Sequence, residues 1–538
     1  MEVSVIGSSQ AKLGKSDLVT REQGFCFVKE SCRIENNRVS FGGNMRWKKD
    51  GLRFSLRAVH HAEPVLEKKK KKSHSGSGTG SSNSVDGVRL FVGLPLDAVS
   101  YDCSSLNHSR AIAAGLRALK LLGVEGVELP VWWGIVEKEA MGEYNWSGYL
   151  AIAEMVQKAG LKLHMTLCFH GSEKPNIPLP KWVSKIGESQ SSIFFTDRSG
   201  QRYNEYLSLA VDNLPVLDGK TPVQVYQSFC ESFKSSFSAF MGSTITGISM
   251  GLGPEGELRY PSHHHRNGKT QGVGEFQCYD QNMLQLLKQH AEASGNPLWG
   301  LGGPHDVPTY DQPPHSNNFF KDGGSWESQY GDFFLSWYSN QLITHGDCLL
   351  SLAASTFGDT GVTIHGKIPL MHTWYGTQSH PSELTAGFYN TANREGYEPV
   401  AKIFAKNSCK IMLPGLDLSD ANQPSETRSS PESLLAQIMA SCRNHGVRVS
   451  GQNSSVFGAP EGFDQIKKNL SGDNVLDLFT YQRMGAYFFS PEHFPSFTEF
   501  VRSLNQPELH SDDLPTVEEE GTESAVNSQE SSISMQAA

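Results

Sequence analysis

Two segments of this sequence carry a polar side chain directly after a strand-like apolar run, and parallel α/β barrels mount catalytic groups at such positions. In GLGPEGELRYPS, glycines and a proline bend the chain and present Glu257; a carboxylate paired with Arg259 is the alternative interpretation. In VRVSGQNSSV, the alternating apolar run ends in Gly451, and Gln452 follows it. A glutamic acid can give or take a proton, whereas an amide does neither near neutral pH. The two segments therefore predict one acid–base group and one polar position that cannot act as a base.

The elements that must position these groups alternate between strand and helix patterns. Eight segments read as strands, most of the later ones separated by helical patterns: 88–95, 124–134, 161–170, 245–257, 298–303, 361–372, 409–418 and 447–454. Repeated strand–helix units indicate parallel strands with helical crossovers. The sequence therefore predicts a (β/α)8 TIM barrel, with an open doubly wound sheet as the alternative. In such a barrel the site lies at the C-terminal ends of the strands.

Composition divides the chain into three zones. Residues 1–86 lack a steady period and end in KKKKKSHSGSGTGSSNS, which predicts a transit peptide followed by a flexible Lys/Gly/Ser-rich linker. A nuclear-type basic cluster at 68–72 and a solvated disordered arm are the alternatives. Residues 87–505 carry the barrel pattern, and 506–538 turn acidic and Ser-rich, which is typical of a disordered tail.

The charge balance and the motifs exclude several classes of partner. The 538 residues include 47 basic and 57 acidic side chains, for a net charge of -10, so a general nucleic-acid surface is not expected. No apolar run reaches the roughly 18 residues that span a membrane. Adjacent histidines at 263–265 diverge in direction and lack a spaced fourth ligand, and GLGPEG lacks the Lys-Ser/Thr of a phosphate loop. We therefore expect no metal and no cofactor.

Aromatic residues near the predicted strand ends suit a carbohydrate groove. Trp132, Trp133, Trp374 and Tyr375 could present flat faces to sugar rings. Packing inside the core explains the same residues at least as well.

Several long motifs carry a family resemblance: PVWWGIVE, IPLPKWV, DRSGQRYNEYLSL, GLGPEGELRYPS, GVGEFQCYD, FFLSWYSNQLITHGD, ELTAGFYN and RVSGQN. Together they resemble plant β-amylases, glycoside hydrolase family 14, over about residues 87–500. The resemblance implies a (β/α)8 barrel that cuts maltose from the non-reducing ends of α-1,4-glucans. The N-terminal extension resembles that of plastid members, which predicts a chloroplast location.

The resemblance also implies an inverting mechanism, in which one glutamic acid protonates the leaving oxygen and a second glutamate deprotonates the attacking water. Glu257 matches the acid. The base position falls in the Gly-Glu-Asn segment after the last strand, and here that segment reads Gly451-Gln452-Asn453. Loss of a general base typically costs about 10²–10⁴-fold in rate. We therefore expect hydrolysis to be disabled.

Other positions depart from the family pattern in the same direction. The loop after His170 is shorter than in the family, and the aspartate that the family carries there has no counterpart. Pro130 replaces a sugar-binding aspartate, Pro414 replaces the threonine of an inner loop, and Thr373 replaces a tryptophan. The resemblance nevertheless assigns sugar-contacting roles to His170, Lys367, His372, Asn453 and Arg483.

Three hypotheses follow for the function. The first is a β-amylase-like protein of starch metabolism with little or no maltose release, which is regulatory or senses glucan. The second is a slow but active β-amylase that uses Asp417 as a substitute base. The third is a scaffold that no longer binds sugar. The expected partners are an α-1,4-glucan or maltose, and a protein partner is compatible with the first and third hypotheses.

Overall fold

The computed structural model describes residues 88–263, 272–454, 460–471 and 476–505. The arm predicted at 1–86, with its basic cluster, and the tail predicted at 506–538 lie outside these residues. Eight parallel strands form a closed barrel in the spatial order β1-β2-β3-β6-β7-β8-β9-β10. The barrel strands are β1 (Arg89–Gly93), β2 (Gly126–Trp132), β3 (Lys162–Cys168), β6 (Ile245–Met250), β7 (Thr363–Lys367), β8 (Lys410–Leu413), β9 (Val449–Gln452) and β10 (Leu476–Tyr481). The predicted barrel is confirmed.

The first strand closes the barrel because it pairs on both sides. Phe91 of β1 lies in register with Gly126 of β2 and with Thr480 of β10. Closure leaves no unpaired sheet edge. It also buries both faces of each strand, which explains why the strands read as near-continuous apolar runs.

One predicted strand is wrong, and one strand was missed. The segment predicted at 298–303 overlaps a 3-10 helix, Pro297–Gly300. This helix begins with a proline, which has no backbone N–H to give to a strand ladder. Leu298 and Leu301 are 76% and 81% exposed, so their apolar side chains are not buried as a barrel strand would require. The eighth strand is Leu476–Tyr481, with the sequence LDLFTY, and it follows the helix Pro460–Leu470 along the chain.

Helices surround the barrel. They are α1 (Ser109–Leu122), α2 (Trp133–Val136), α3 (Ser147–Lys158), α4 (Lys181–Ser189), α5 (Pro222–Ser236), α6 (Gln281–Ala293), α7 (Gln329–Phe357), α8 (Pro381–Ala386), α9 (Glu398–Lys406), α10 (Pro431–Asn444), α11 (Pro460–Leu470) and α12 (Phe494–Asn505). A short antiparallel hairpin, β4 (Phe194–Thr196) and β5 (Arg202–Leu207), lies between β3 and β6 in sequence.

Local sequence fixes where several helices begin. Thr221 caps α5 in a capping box with Gln224, and the Asp280 carboxylate accepts hydrogen bonds from the first backbone N–H groups of α6. Ser328 caps α7 in the same way. Within the described part of the chain, no helix combines the length and the apolar character needed to cross a membrane.

Candidate functional site

A cavity of about 470 Å³ opens at the C-terminal ends of the barrel strands. Its size is within the range of small-molecule sites. The seven residues assigned to the site by sequence all line this one cavity: His170, Glu257, Lys367, His372, Gln452, Asn453 and Arg483. The structure thus brings together side chains from the ends of β3, β6, β7, β9 and β10 and from the segments that follow them.

Glu257 is presented by a tight loop after β6. The chain turns through a 3-10 helix, Pro254–Gly256, and Gly256 has a φ of +78°, a conformation that glycine adopts at little cost. Gly253 is required for a different reason, because a Cβ there would lie 2.3 Å from the carbonyl oxygen of Glu257. The glycines of the motif therefore fold the loop tightly enough to aim this carboxylate into the cavity.

Both oxygens of Glu257 are held by cations. Nζ of Lys367 lies 3.0 Å from Oε1, and Nε of Arg259 donates to Oε2 at 2.8 Å. The predicted pairing with Arg259 therefore occurs, and the paired carboxylate also lines the cavity. Arg259 also bridges to Glu255, whose side chain is 62% exposed. Burial opposes the charge of Arg259, but the two neighbouring carboxylates raise its pKa above the usual value.

Gln452 ends β9 and faces a second, unpredicted carboxylate. Its Nε2 donates to Oε2 of Glu128 across 3.3 Å. Oγ1 of Thr166 donates to Oε1 of the same carboxylate at 2.7 Å, and Nε2 of Gln482 also donates to its Oε2. Glu128 lies in the middle of β2, is only 6% exposed and lines the cavity. The NH2 group of the Gln452 amide thus donates a hydrogen bond to Glu128, which forms part of the cavity wall.

Two of the three histidines that line the cavity, His170 and His372, are neutral hydrogen-bonding groups. Nδ1 of His170 donates to the carbonyl oxygen of Gly171 at 2.7 Å, and burial lowers the pKa of this ring to about 4. Nδ1 of His372 lies 2.6 Å from Oγ of Ser429, and burial lowers its pKa as well. An uncharged imidazole keeps a second nitrogen for a hydroxyl group of a ligand.

Asn453 and Arg483 secure the wall between the last strands. Asn453 donates from Nδ2 to the carbonyl oxygen of Gln482 at 2.9 Å and accepts the backbone N–H of the same residue at 2.6 Å. Nη1 of Arg483 donates to the carbonyl oxygen of Leu94 at 2.6 Å. These bonds tie the segments that follow β9, β10 and β1 together around the cavity.

The arrangement agrees with what a comparison of the sequence with known families finds. The model of glycosyl hydrolase family 14 matches residues 91–508. The protein belongs to this family. The predicted family is therefore confirmed.

Named relatives of this family 14 protein include both inactive and chloroplast members. It is 58% identical over 535 residues to "Inactive beta-amylase 9" of Arabidopsis thaliana, covering 98% of this chain and 97% of that protein. It is 42% identical to "Beta-amylase 2, chloroplastic" of Oryza sativa subsp. japonica, over 78% of this chain and 77% of that one. Among solved structures, the catalytic domain of β-amylase from Paenibacillus polymyxa matches with a TM-score of 0.65 and 27% identity, over 79% of this chain and all of that one.

The departures predicted from the family 14 pattern lie at different places around the site. Pro130 stands inside β2 and Pro414 directly after β8, and both line the cavity, whereas Thr373 does not. The short loop after β3 closes on itself, because Ser172 and Ile177 exchange two backbone hydrogen bonds of 2.8 Å.

Asp417 does not take the place of the missing base in this family 14 site. Its two oxygens accept hydrogen bonds from the backbone N–H and the hydroxyl group of Ser454, at 2.6 and 2.8 Å. It is absent from the cavity lining. Its carboxylate fixes the turn that follows Gln452 and Asn453, so the structure does not support its prediction as a substitute base.

Only one of the four aromatic residues considered for a sugar groove lines the cavity. Trp132 lies at its wall and makes an edge contact with His170, with ring centroids 5.2 Å apart. Trp133 is fully buried among core aromatic rings, and Trp374 and Tyr375 lie outside the lining. Core packing therefore accounts for Trp133, as the alternative interpretation held.

The described residues contain no cluster of three or more side chains suited to a metal ion. Of the three adjacent histidines, His263 lines the cavity, and 264–265 lie outside the described residues.

The sequence reasoning missed Glu128 and Gln482, which complete the polar wall of the cavity. The one available signal for Glu128 was a charged residue inside the apolar run VEGVELPVWWG. A charge that interrupts a buried strand needs partners, and here they are amide and hydroxyl groups from three neighbouring segments.

Proposed function

We propose that this protein is a glucan-binding member of family 14 that releases little or no maltose and has a regulatory or glucan-sensing role in starch metabolism. The observation that carries the proposal is Gln452, which stands in the cavity at the position of the family's base and donates its amide hydrogen to Glu128. An amide oxygen is too weak a base to activate water near neutral pH.

Loss of the base removes one half of an inverting mechanism. Glu257 remains in place to protonate a leaving oxygen, but the attacking water has no free carboxylate at 452. Three glutamates line the cavity among the described residues, and each already has partners. Glu255 and Glu257 pair with Arg259, and Glu128 accepts three hydrogen bonds. Because position 452 carries no carboxylate, we expect the loss of about 10²–10⁴-fold in rate that is typical of a missing general base.

The rest of the cavity suits an α-1,4-glucan. Lys367 supplies a partly exposed ammonium group, His170 and His372 supply neutral imidazoles, and Trp132 supplies an apolar ring edge. Sugars present hydroxyl groups beside flat apolar faces, and sites of this mixed kind bind them. Sugar contact by these residues is part of the proposal.

The names of relatives support the same function and suggest a location. The relative from Arabidopsis thaliana, which matches over nearly the whole chain, is named an inactive β-amylase, and the rice relative is named chloroplastic. We extend both properties to this protein, and we assign the predicted transit peptide at 1–86 to plastid import.

Maltose release from soluble starch by the purified protein tests the loss of hydrolysis. We expect a rate at least a hundredfold below that of an active family member assayed alongside. The Glu257→Gln variant identifies contaminating activity, because true hydrolysis needs the acid. A rate within about tenfold of the active enzyme that disappears in Glu257→Gln would overturn the proposal.

Calorimetric titration with maltotetraose tests the binding half of the proposal. We expect saturable binding, with cellotetraose, which has β-1,4 linkages, as the matched control ligand. Absence of binding to maltotetraose would leave the predicted scaffold role, which acts through a protein partner.

A further inference from the structure

A hydrogen bond joins the side chains of Glu128 and Gln452, although the two residues are 324 positions apart in sequence. The carboxylate on β2 accepts this bond together with bonds from Thr166 and Gln482. Glu128 is therefore matched to a neutral donor at position 452. It would not be matched to a second carboxylate.

We propose that Glu128 is a positioning residue that forms a second block on hydrolysis: it holds the side chain at 452 against the cavity wall and excludes an ionised carboxylate there. This inference rests on the proposed function. It differs from the loss of the base itself, because it states that restoring a glutamate at 452 does not restore the reaction.

The groups around Glu128 include one cation, uncharged side chains and a lysine that already has a partner. The Arg483 guanidinium is the nearby cation on the β10 side, and it donates to the carbonyl oxygen of Leu94. On β3, burial lowers the pKa of His164 to about 4 and raises the pKa of the Cys168 thiol to about 12, so both are uncharged near neutral pH. Across the cavity, Lys367 is paired with Glu257.

A glutamate at 452 would place two carboxylates about as close as the present amide and carboxylate, which are 3.3 Å apart. Like charges at this separation share one proton rather than ionise together. The shared proton would hold the carboxylate at 452 in a hydrogen bond to Glu128, directed at the cavity wall rather than at an attacking water. Exchanging the two side chains, with the amide on β2 and the carboxylate on β9, would keep both the hydrogen bond and the net charge.

The test compares Gln452→Glu with the exchange variant Glu128→Gln/Gln452→Glu, beside the wild type and Glu128→Gln. The first readout is the thermal midpoint between pH 5 and pH 8. In Gln452→Glu the folded state holds a proton that the unfolded state releases above about pH 4.3, so stability falls as pH rises. We expect its midpoint to drop by about 3 °C or more relative to the exchange variant.

The second readout is maltose release from soluble starch at pH 7. We expect Gln452→Glu to stay within about threefold of the wild type and the exchange variant to exceed it by about tenfold or more. Gln482→Glu is the matched control for the first readout. It places a second carboxylate against the same Glu128 oxygen, so its thermal midpoint should also fall as pH rises.

Three results would overturn the proposal. The first is the same pH dependence of the thermal midpoint in Gln452→Glu and in the exchange variant, and the second is an equal rate of maltose release by these two proteins. The third is loss of the wild-type residual activity in Glu128→Gln. The rate of the wild type tests the proposed function, whereas the difference between the two variants tests this inference. The two failures are therefore distinguishable.

Discussion

Lys367 at the end of β7 and Glu257 in the loop after β6 form an ion pair and an isolated parallel β-bridge. Their side chains form an ion pair of 3.0 Å, and the carbonyl oxygen of Lys367 accepts the backbone N–H of Leu258 at 2.8 Å. The ammonium group therefore lies at a fixed place in the cavity, beside the predicted acid.

The first prediction concerns this ammonium group. Lys367→Met keeps the apolar stem and removes the charge, and charge-assisted hydrogen bonds are worth about 1.5–3 kcal/mol. We expect maltotetraose affinity to fall by about tenfold in calorimetric titration. Lys234→Met is the control, because this lysine pairs with Asp359 away from the cavity and its loss should leave the affinity unchanged. Equal affinities for the two variants would exclude Lys367 from ligand contact.

The second prediction concerns the pair of hydrogen bonds between Asn453 and Gln482. Asn453→Ala leaves a backbone donor and a carbonyl oxygen without this partner, at a cost of about 2 kcal/mol in the free energy of unfolding. Urea denaturation measures it. Asn296→Ala removes an exposed asparagine whose single side-chain bond goes to Ser294, and should cost less than about 0.5 kcal/mol. Similar values for both variants would contradict the anchoring role.

The third prediction concerns the loop that presents Glu257. Gly256→Ala forces a side chain into a left-handed conformation, at a cost of about 1–2 kcal/mol. Gly142→Ala carries the same backbone strain, since its φ is +83° and a Cβ there meets nothing within 4 Å. Both variants should lose similar stability in urea, and only Gly256→Ala should also weaken maltotetraose binding. Unchanged binding in Gly256→Ala would show that the cavity tolerates movement of this loop.

The fourth prediction is a loss of stability in acid. His164 and His170 are buried, and burial lowers the pKa of each ring to about 4. Between about pH 6.5 and pH 4 the unfolded chain binds protons that the folded state does not, so the free energy of unfolding falls as pH falls, by up to about 3 kcal/mol for each ring. Urea denaturation at pH 7 and pH 5 measures this. In His170→Gln, the free energy of unfolding should change less between pH 7 and pH 5 than in the wild type. An unchanged difference would contradict the lowered pKa of His170.

The barrel could be predicted from sequence because buried parallel strands read as apolar runs. The same rule produced the one error. LWGLGG is apolar, but its leucines are exposed after Pro297, and the final strand lies in the polar-interrupted segment LDLFTY. Apolar content alone does not distinguish an exposed apolar turn from a buried strand.

The site was predictable where turn residues mark a strand end, as at Glu257 and Gln452. Glu128 was not, because it stands in the middle of β2, where every residue is buried and alternation gives no signal for the inward face. The tilt of the strands in a closed barrel decides which side chains of β2 can contact those of β9. That relationship appears only when all eight strands are placed.

The turn between Ser172 and Ile177 satisfies its own backbone. Lid movement often limits the rate of ligand release in enzymes that sequester their substrates, whereas this turn is held by its own hydrogen bonds. For the proposed glucan ligand, we therefore expect the contacts inside the cavity to determine the residence time. Such kinetics would let occupancy follow the surrounding sugar concentration, as the proposed sensing role requires.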